Sequence, residues 1–340
     1  MIGLALTGRV APATLANVTR RIDCGSLSQV AQIQTSELRT FLHKAALFPV
    51  RKLRSWLQRL RLAALVAFPS ERRLNDYVRR HATASLRSQH QFLFRIAIRC
   101  LGLLNYRNPV ESGELPFLEA FLPPYDSDQW VAIDVGANTG QFASWVLAST
   151  RQMHVVSYEA NPLAWPQYAD NLSSALPDGG VRRWRLARKG VSSAAGKAVI
   201  YDYADEPGSS HASLYREVFE GIHQRAAAGI EVELCTLDAD LADLGRKICL
   251  LKFDIEGHEL EALRGAAATI ARHRPPLILV EFNAMNAMSN ASFHAIRKAI
   301  GEEYLPHRLL PGGELLPLAG ETPLMTELYA YQNVAFLRSP

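Results

Sequence analysis

From about residue 125 onward, short apolar runs alternate with stretches of helical spacing, and this rhythm restricts the fold more than any other feature of the sequence. Trp130–Val135, His154–Tyr158, Ile248–Phe253 and Pro276–Phe282 are each of strand length. Helical patterns follow them at Phe142–Leu147, Leu163–Ala175, Glu259–Ala271 and Ser292–Gly301. A strand that is apolar throughout must be buried on both faces, and parallel neighbours need crossover helices. The spacing therefore predicts an α/β fold, a doubly wound and mostly parallel sheet. Arg182–Leu186 reads as a third strand, and Ala198–Tyr203 and Glu231–Leu237 as extra strands around a polar connection. Tyr304–Leu310 and Asn333–Leu337 flank Pro311-Gly312-Gly313 and predict a terminal pair of strands, the last one antiparallel.

Charge divides the 340 residues unevenly. Residues 1–110 hold 18 Lys and Arg against 4 Asp and Glu, whereas residues 111–340 hold 19 against 29. This imbalance predicts two parts with different physical tasks. Residues 1–40 carry weak periodicity and are expected to be partly disordered, 41–122 form a basic helical region, and 123–340 form the α/β domain. Within Ala45–Phe68, the residues Leu53, Trp56, Leu57, Leu60 and Ala64 share one helical face, and Arg51, Lys52, Arg54, Arg59 and Arg61 occupy much of the rest. A second helical stretch is expected over Glu71–Leu104, ending before the Asn108-Pro109 and Pro123-Pro124 breaks. Three uses are open to the basic region. It can pack on the α/β domain or on a second subunit of a homo-oligomer, lie through 45–68 on an anionic membrane surface, or follow nucleic-acid phosphates. The first is favoured and nucleic acid is the least favoured. The cysteines are scattered, without Cys-x-x-Cys or a neighbouring His, and suit reduced thiols. With no persuasive export signal and no apolar stretch near the ~18 residues of a membrane span, the expected location is the cytoplasm, with peripheral membrane association as a variant.

The run Val131-Ala-Ile-Asp134-Val-Gly136-Ala-Asn138-Thr-Gly140-Gln141 is a strand, a tight glycine loop and a helix start. Gly136 and Gly140 have no Cβ, so backbone N–H groups there can approach a ligand. A pyrophosphate loop prefers Gly-x-Gly-x-x-Gly and no facing carboxylate. An acid at Asp134 suits a cofactor with a cationic end, such as a sulfonium bearing an α-amino group. Glu159, followed by Ala-Asn161-Pro162, lies 25 positions later at the tip of the second strand. An acid there can accept from both hydroxyls of an adenosine ribose. The plainer alternatives are an ordinary α/β glycine turn and a helix-dipole charge, and two acids in register with one loop weigh against both.

A third motif is Leu250-Leu-Lys252-Phe-Asp254-Ile-Glu256-Gly257-His258-Glu259. The buried strand carries Asp254 to the carboxyl edge of the sheet, where ligands of open α/β folds bind. Asp254, then Glu256, then His258 are the candidates for taking up a proton. Glu259 and Glu261 are explained by the helix dipole and are given no chemistry. Asp254, Glu256 and Glu281 could instead gather a divalent cation, an arrangement that no ligand spacing in the sequence supports.

Together, Asp134-Val-Gly-Ala-Asn-Thr-Gly140, Tyr158-Glu-Ala-Asn-Pro162, Thr236-Leu-Asp238, Lys252-Phe-Asp-Ile-Glu-Gly257 and Leu263-Arg-Gly-Ala266 resemble the FkbM family of methyltransferases over about residues 128–285. The resemblance implies a class I methyltransferase fold, S-adenosylmethionine as methyl donor, and a hydroxyl acceptor on a sugar, glycan or other small natural product. Cofactor binding then falls to Asp134, Gly136, Asn138, Gly140, Glu159 and Asn161. The family's acid after the third strand is Ser193 here, in Arg188-Lys-Gly-Val-Ser-Ser193, which puts the adenine contacts there in question. Ser209-Ser-His-Ala-Ser-Leu214 resembles the family's serine-rich segment, placed near the acceptor or else a plain loop. Two readings compete: a nucleotide-dependent oxidoreductase on a related fold, which the missing Gly-x-Gly-x-x-Gly disfavours, and a binding module without catalysis.

Overall fold

The computed structural model describes residues 57, 60, 70–174, 183–205, 208 and 212–339. The proposed helix over 45–68 and the segment 1–40 lie outside the described residues, apart from Leu57 and Leu60, which are helical and exposed. The chain divides into two units, residues 1–89 and 90–340. In the first, helix Glu71–His81 starts on Ser70, whose side chain accepts from the Arg73 backbone N–H. Glu71 in its first turn and Arg79, Arg80 and His81 in its last complement the helix dipole.

The single helix expected over 71–104 is two helices, Glu71–His81 and Arg87–Cys100, separated by a 3₁₀ turn at Ala84–Leu86. Thr83 and Ser85 hydroxyls bond each other at 3.0 Å across the break, a local arrangement that competes with helix continuation. Leu74, Val78, Phe92 and Ile96 remain exposed.

The second unit is built on an eight-stranded sheet in the order β10-β9-β11-β8-β7-β1-β2-β3. The strands are β1 Trp130–Val135, β2 His154–Tyr158, β3 Trp184–Ala187, β7 Lys247–Phe253, β8 Leu277–Phe282, β9 Tyr304–Leu309, β10 Leu315–Pro317 and β11 Gln332–Arg338. From β3 to β8 all pairings are parallel, and β11 runs antiparallel to both β8 and β9. A small second sheet pairs β4 Gly190–Val191, β6 Ala227–Cys235 and β5 Gly196–Tyr203. This is the doubly wound, mostly parallel architecture with an antiparallel C-terminal strand. Alternation along β1 sorts the core into two layers. Val131, Ile133 and Val135 pack with Leu260, Leu263, Ile270, Phe293 and Ile296 on one face. Ala132 packs with Phe117, Leu118, Phe142, Val146, Tyr168 and Leu172 on the other.

The helix expected over 259–271 is interrupted between Glu259–Arg264 and Ala267–His273. A Cβ on Gly265 would stand 2.0 Å from the Ser192 carbonyl oxygen, so the backbone after β4 passes against the break. Helix Glu114–Phe121 falls inside the helical region expected over 41–122, although the sequence singled out no separate element there, and strand β10 was not anticipated. Among the described residues, no helix is long and apolar enough to cross a membrane.

Candidate functional site

Strand register assembles the site. Asp134 on β1 lies opposite Ser157 on β2 and Lys252 on β7, and neighbours in a parallel sheet project to the same face. The result is a row of polar side chains under the carboxyl edge. Ser157 Oγ donates to Asp134 Oδ2 at 3.2 Å. Lys252 Nζ stands 2.7 Å from Asp254 Oδ2 and 4.0 Å from Asp134 Oδ1. It also lies 5.0 Å from the centre of the Phe142 ring. Burial opposes the charge on Lys252, but Asp254, Asp134 and Glu114 together outweigh it and raise its pKa above the ordinary lysine value. Burial lifts Asp134 to about 6, with Lys252 holding it down. Glu114, at a helix start 20 residues before Asp134, is buried against Ser112 Oγ at 2.8 Å and is raised by the same cause.

The loops above this row approach closely because of two glycines. Gly136 adopts φ +87°, and a Cβ there would fall 1.8 Å from the Asp254 carbonyl oxygen. Gly140 also has positive φ, and its Cβ would meet the Tyr168 ring at 2.9 Å, so it serves packing of the loop on helix Trp165–Ser174. Glu159 ties the first loop to the second strand. Its two carboxylate oxygens accept the backbone N–H groups of Asn138 and Asn161, each at 2.6 Å. Each oxygen keeps a further lone pair. Burial raises Glu159 to about 7 against those two bonds.

The 254–258 loop is held from below by Glu259. Its Oε1 accepts from the N–H groups of Ile255 and Gly257, and its Oε2 from Asn286 Nδ2 at 2.6 Å. It is almost fully buried and raised by burial to about 7. The helix dipole accounts for little of this, since the carboxylate organises the loop itself. Glu256 takes φ +53°, uncommon for a residue with a Cβ. Asn283 Nδ2 donates to Glu281 Oε1 and, at 3.4 Å, to Glu256 Oε2. Burial, with Asp254 and Glu256 nearby, raises Glu281 well above the usual carboxylate range.

A cleft open to solvent lies over these loops. It brings together Gly136, Asn138, Glu159, Asp254, Glu256 and His258. Asp134, Gly140 and Asn161 stand outside its lining: Asp134 lies beneath it, and Asn161 turns its amide to Asp202 at 3.2 Å. The lining also carries apolar side chains, among them Val191, Ile200, Leu214, Leu234 and Ile255. The described lining contains three carboxylates and no Lys or Arg. Ser193, in place of the expected acid, donates to Glu261 at 2.6 Å. Among the described residues no group of three His, Cys, Asp or Glu side chains is arranged to hold a metal ion.

Sequence reasoning gave no role to Lys252 and none beyond the helix dipole to Glu259. For Lys252 a signal was present, a single charge inside an otherwise apolar strand. Ser192, Tyr215 and Asn283, which hold His258, Glu256 and Glu281, offered none.

Residues 134–305, just over half of the chain, match the family model described as the methyltransferase FkbM domain. The methyltransferase sdnD of Sordaria araneosa is 30% identical over 155 residues, 39% of this chain and 59% of that protein. The match thus spans less than two thirds of that relative. Among solved structures, an FkbM methyltransferase from Methylobacillus flagellatus KT is 17% identical with a TM-score of 0.38, over 62% of this chain and 44% of that one. A putative O-methyltransferase from Klebsiella pneumoniae is 12% identical with a TM-score of 0.36, over 83% and 97%.

Proposed function

This chain belongs to the FkbM family of methyltransferases, and from that premise we propose that it moves a methyl group from S-adenosylmethionine to a hydroxyl of a sugar, glycan or other small natural product. The observation that carries the reading is the character of the cavity. Glu159, Asp254 and Glu256 face it, and its described lining has no Lys or Arg. Such a wall favours a cationic ligand and opposes a pyrophosphate, which disfavours a dinucleotide-dependent oxidoreductase. The apolar side chains of the lining suit a purine ring, and the spare lone pairs of Glu159 suit ribose hydroxyls. The loop Gly136–Asn138 and Glu159 would hold the adenosyl end, with Asp254 and Glu256 nearer its charged end.

When bound, S-adenosylmethionine supplies a methyl carbon whose bond to sulfur breaks, with the electron pair staying on sulfur, as the acceptor oxygen bonds to it. The chain's own part is to place that oxygen and receive its proton. Asp254 is the first candidate, because it lines the cavity and its side chain is about 29% exposed. Glu256 is second, and the buried Glu281 lies behind them. A positioned base contributes on the order of 10²–10⁴-fold.

Calorimetry with S-adenosylhomocysteine and with NAD tests the cofactor, with heat expected only from the first. Radiolabelled S-adenosylmethionine against a panel of hydroxylated sugars and glycans tests the acceptor. Asp254→Asn should bind S-adenosylhomocysteine within about threefold of the wild type and lose roughly 100-fold or more in turnover. Full turnover in that variant removes Asp254 from the role, and no heat with S-adenosylhomocysteine sinks the reading.

A further inference from the structure

His258 was a candidate proton acceptor, yet both its ring nitrogens are occupied. Nε2 lies 3.0 Å from Ser192 Oγ, and Nδ1 lies 3.0 Å from Tyr215 OH. A neutral imidazole has one donor and one acceptor nitrogen, and two hydroxyls satisfy both whichever tautomer is present. The lone pair of the acceptor nitrogen is engaged by one of these hydroxyls and does not stand free toward the cavity. Burial of the ring favours that neutral form.

Its two partners belong to different walls. Ser192 directly follows β4, and its backbone N–H bonds the Cys235 carbonyl at the end of β6. Tyr215 ends the short stretch 212–215, whose Ala212 and Leu214 line the cavity. Tyr215 also packs on the cluster of Tyr203, Val218, Phe219 and Met285. Ser213 exchanges two backbone hydrogen bonds with Tyr201, at 2.7 and 3.0 Å. Its buried hydroxyl donates to the Glu256 carbonyl at 2.8 Å. Tyr215 OH adds a side-chain link from the stretch to the 254–258 loop through His258, and it also pairs with Ser289.

We propose that His258 is a positioning residue of the cofactor cavity: through Tyr215 it clamps the wall bearing Ala212 and Leu214 against the 254–258 loop, and so governs how long the adenosyl group stays bound. This rests on the reading of the cavity as the S-adenosylmethionine site. Tyr215→Phe removes one hydroxyl and keeps the ring, while His258→Leu removes both bonds. Both variants break the Tyr215–His258 link and each breaks one other, so their effects should fall short of additive.

The test follows dissociation of S-adenosylhomocysteine from the full chain by stopped-flow fluorescence, and amide exchange at 213–215 in the unliganded protein. A lost neutral hydrogen bond corresponds to about 3- to 10-fold. Tyr215→Phe should speed dissociation by about that factor and speed exchange at Ser213 and Tyr215, with the double variant slower than the product of the two single effects. Unchanged dissociation and exchange in Tyr215→Phe, or additive effects in the double variant, overturn the proposal. Should His258→Leu fail to fold, Tyr215→Phe alone decides. A wild-type protein that binds no S-adenosylhomocysteine sinks the functional reading instead, and exchange at 213–215 then decides whether the clamp exists.

Discussion

Lys252→Met removes the cation that Asp134 and Asp254 share while keeping a side chain of similar length. At an effective dielectric of about 20, unit charges at 2.7 and 4.0 Å attract by about 6 and 4 kcal/mol. Those gross figures overstate the loss. Taking the ammonium out of water already offsets much of the attraction, and solvent screens the partly exposed Asp254. The larger penalty falls on Asp134, which is fully buried and whose Oδ1 has no hydrogen-bond partner. Removing one member of a buried pair costs about 3–5 kcal/mol, a large share of the roughly 5–15 kcal/mol that holds a domain together. Urea unfolding at pH 7.5 should show a loss of that size. The companion Asp134→Asn/Lys252→Met should recover about half of it, because the orphaned charge is gone. A Lys252→Met protein within about 1 kcal/mol of the wild type, or a double variant weaker than the single one, would refute the claim that this row is held by charge pairing.

Gly136→Ala places a methyl group 1.8 Å from the Asp254 carbonyl oxygen on a backbone of φ +87°, so the two loops must part. Calorimetry should show at least a tenfold weaker binding of S-adenosylhomocysteine, together with a lower melting temperature, and unchanged affinity would show that the loop contact is dispensable. Stability should also fall as pH rises from about 5 to 7.5. Asp134 is raised to about 6, and Glu159 and Glu259 to about 7. The folded protein therefore keeps protons that the unfolded chain, with carboxyl pKa values near 4, has already released, and stability declines through that window. Thermal melting at pH 5.5 and 7.5 checks this, and a flat or rising melting temperature would contradict it.

The glycine loop after β1 and the acids Glu159 and Asp254 at strand tips were readable from the chain alone. The reason is local: an apolar run of strand length, a glycine where φ must be positive and an acid at the next step leave little conformational choice. The close approach at the Gly265 break was not readable, because the Ser192 backbone that packs against it lies more than 70 positions away. The same holds for the helix start that buries Glu114 beside Lys252. Residue types suggested that His258 could take a proton and that Glu259 merely faced a helix dipole. Packing gave both other work, tying His258 between two hydroxyls and turning Glu259 inward to hold a loop. A side chain's type and place in an element follow from its neighbours in sequence. Its charge state and its free lone pairs depend on groups that only strand register and layer packing bring within about 3 Å, and those are properties of the folded protein.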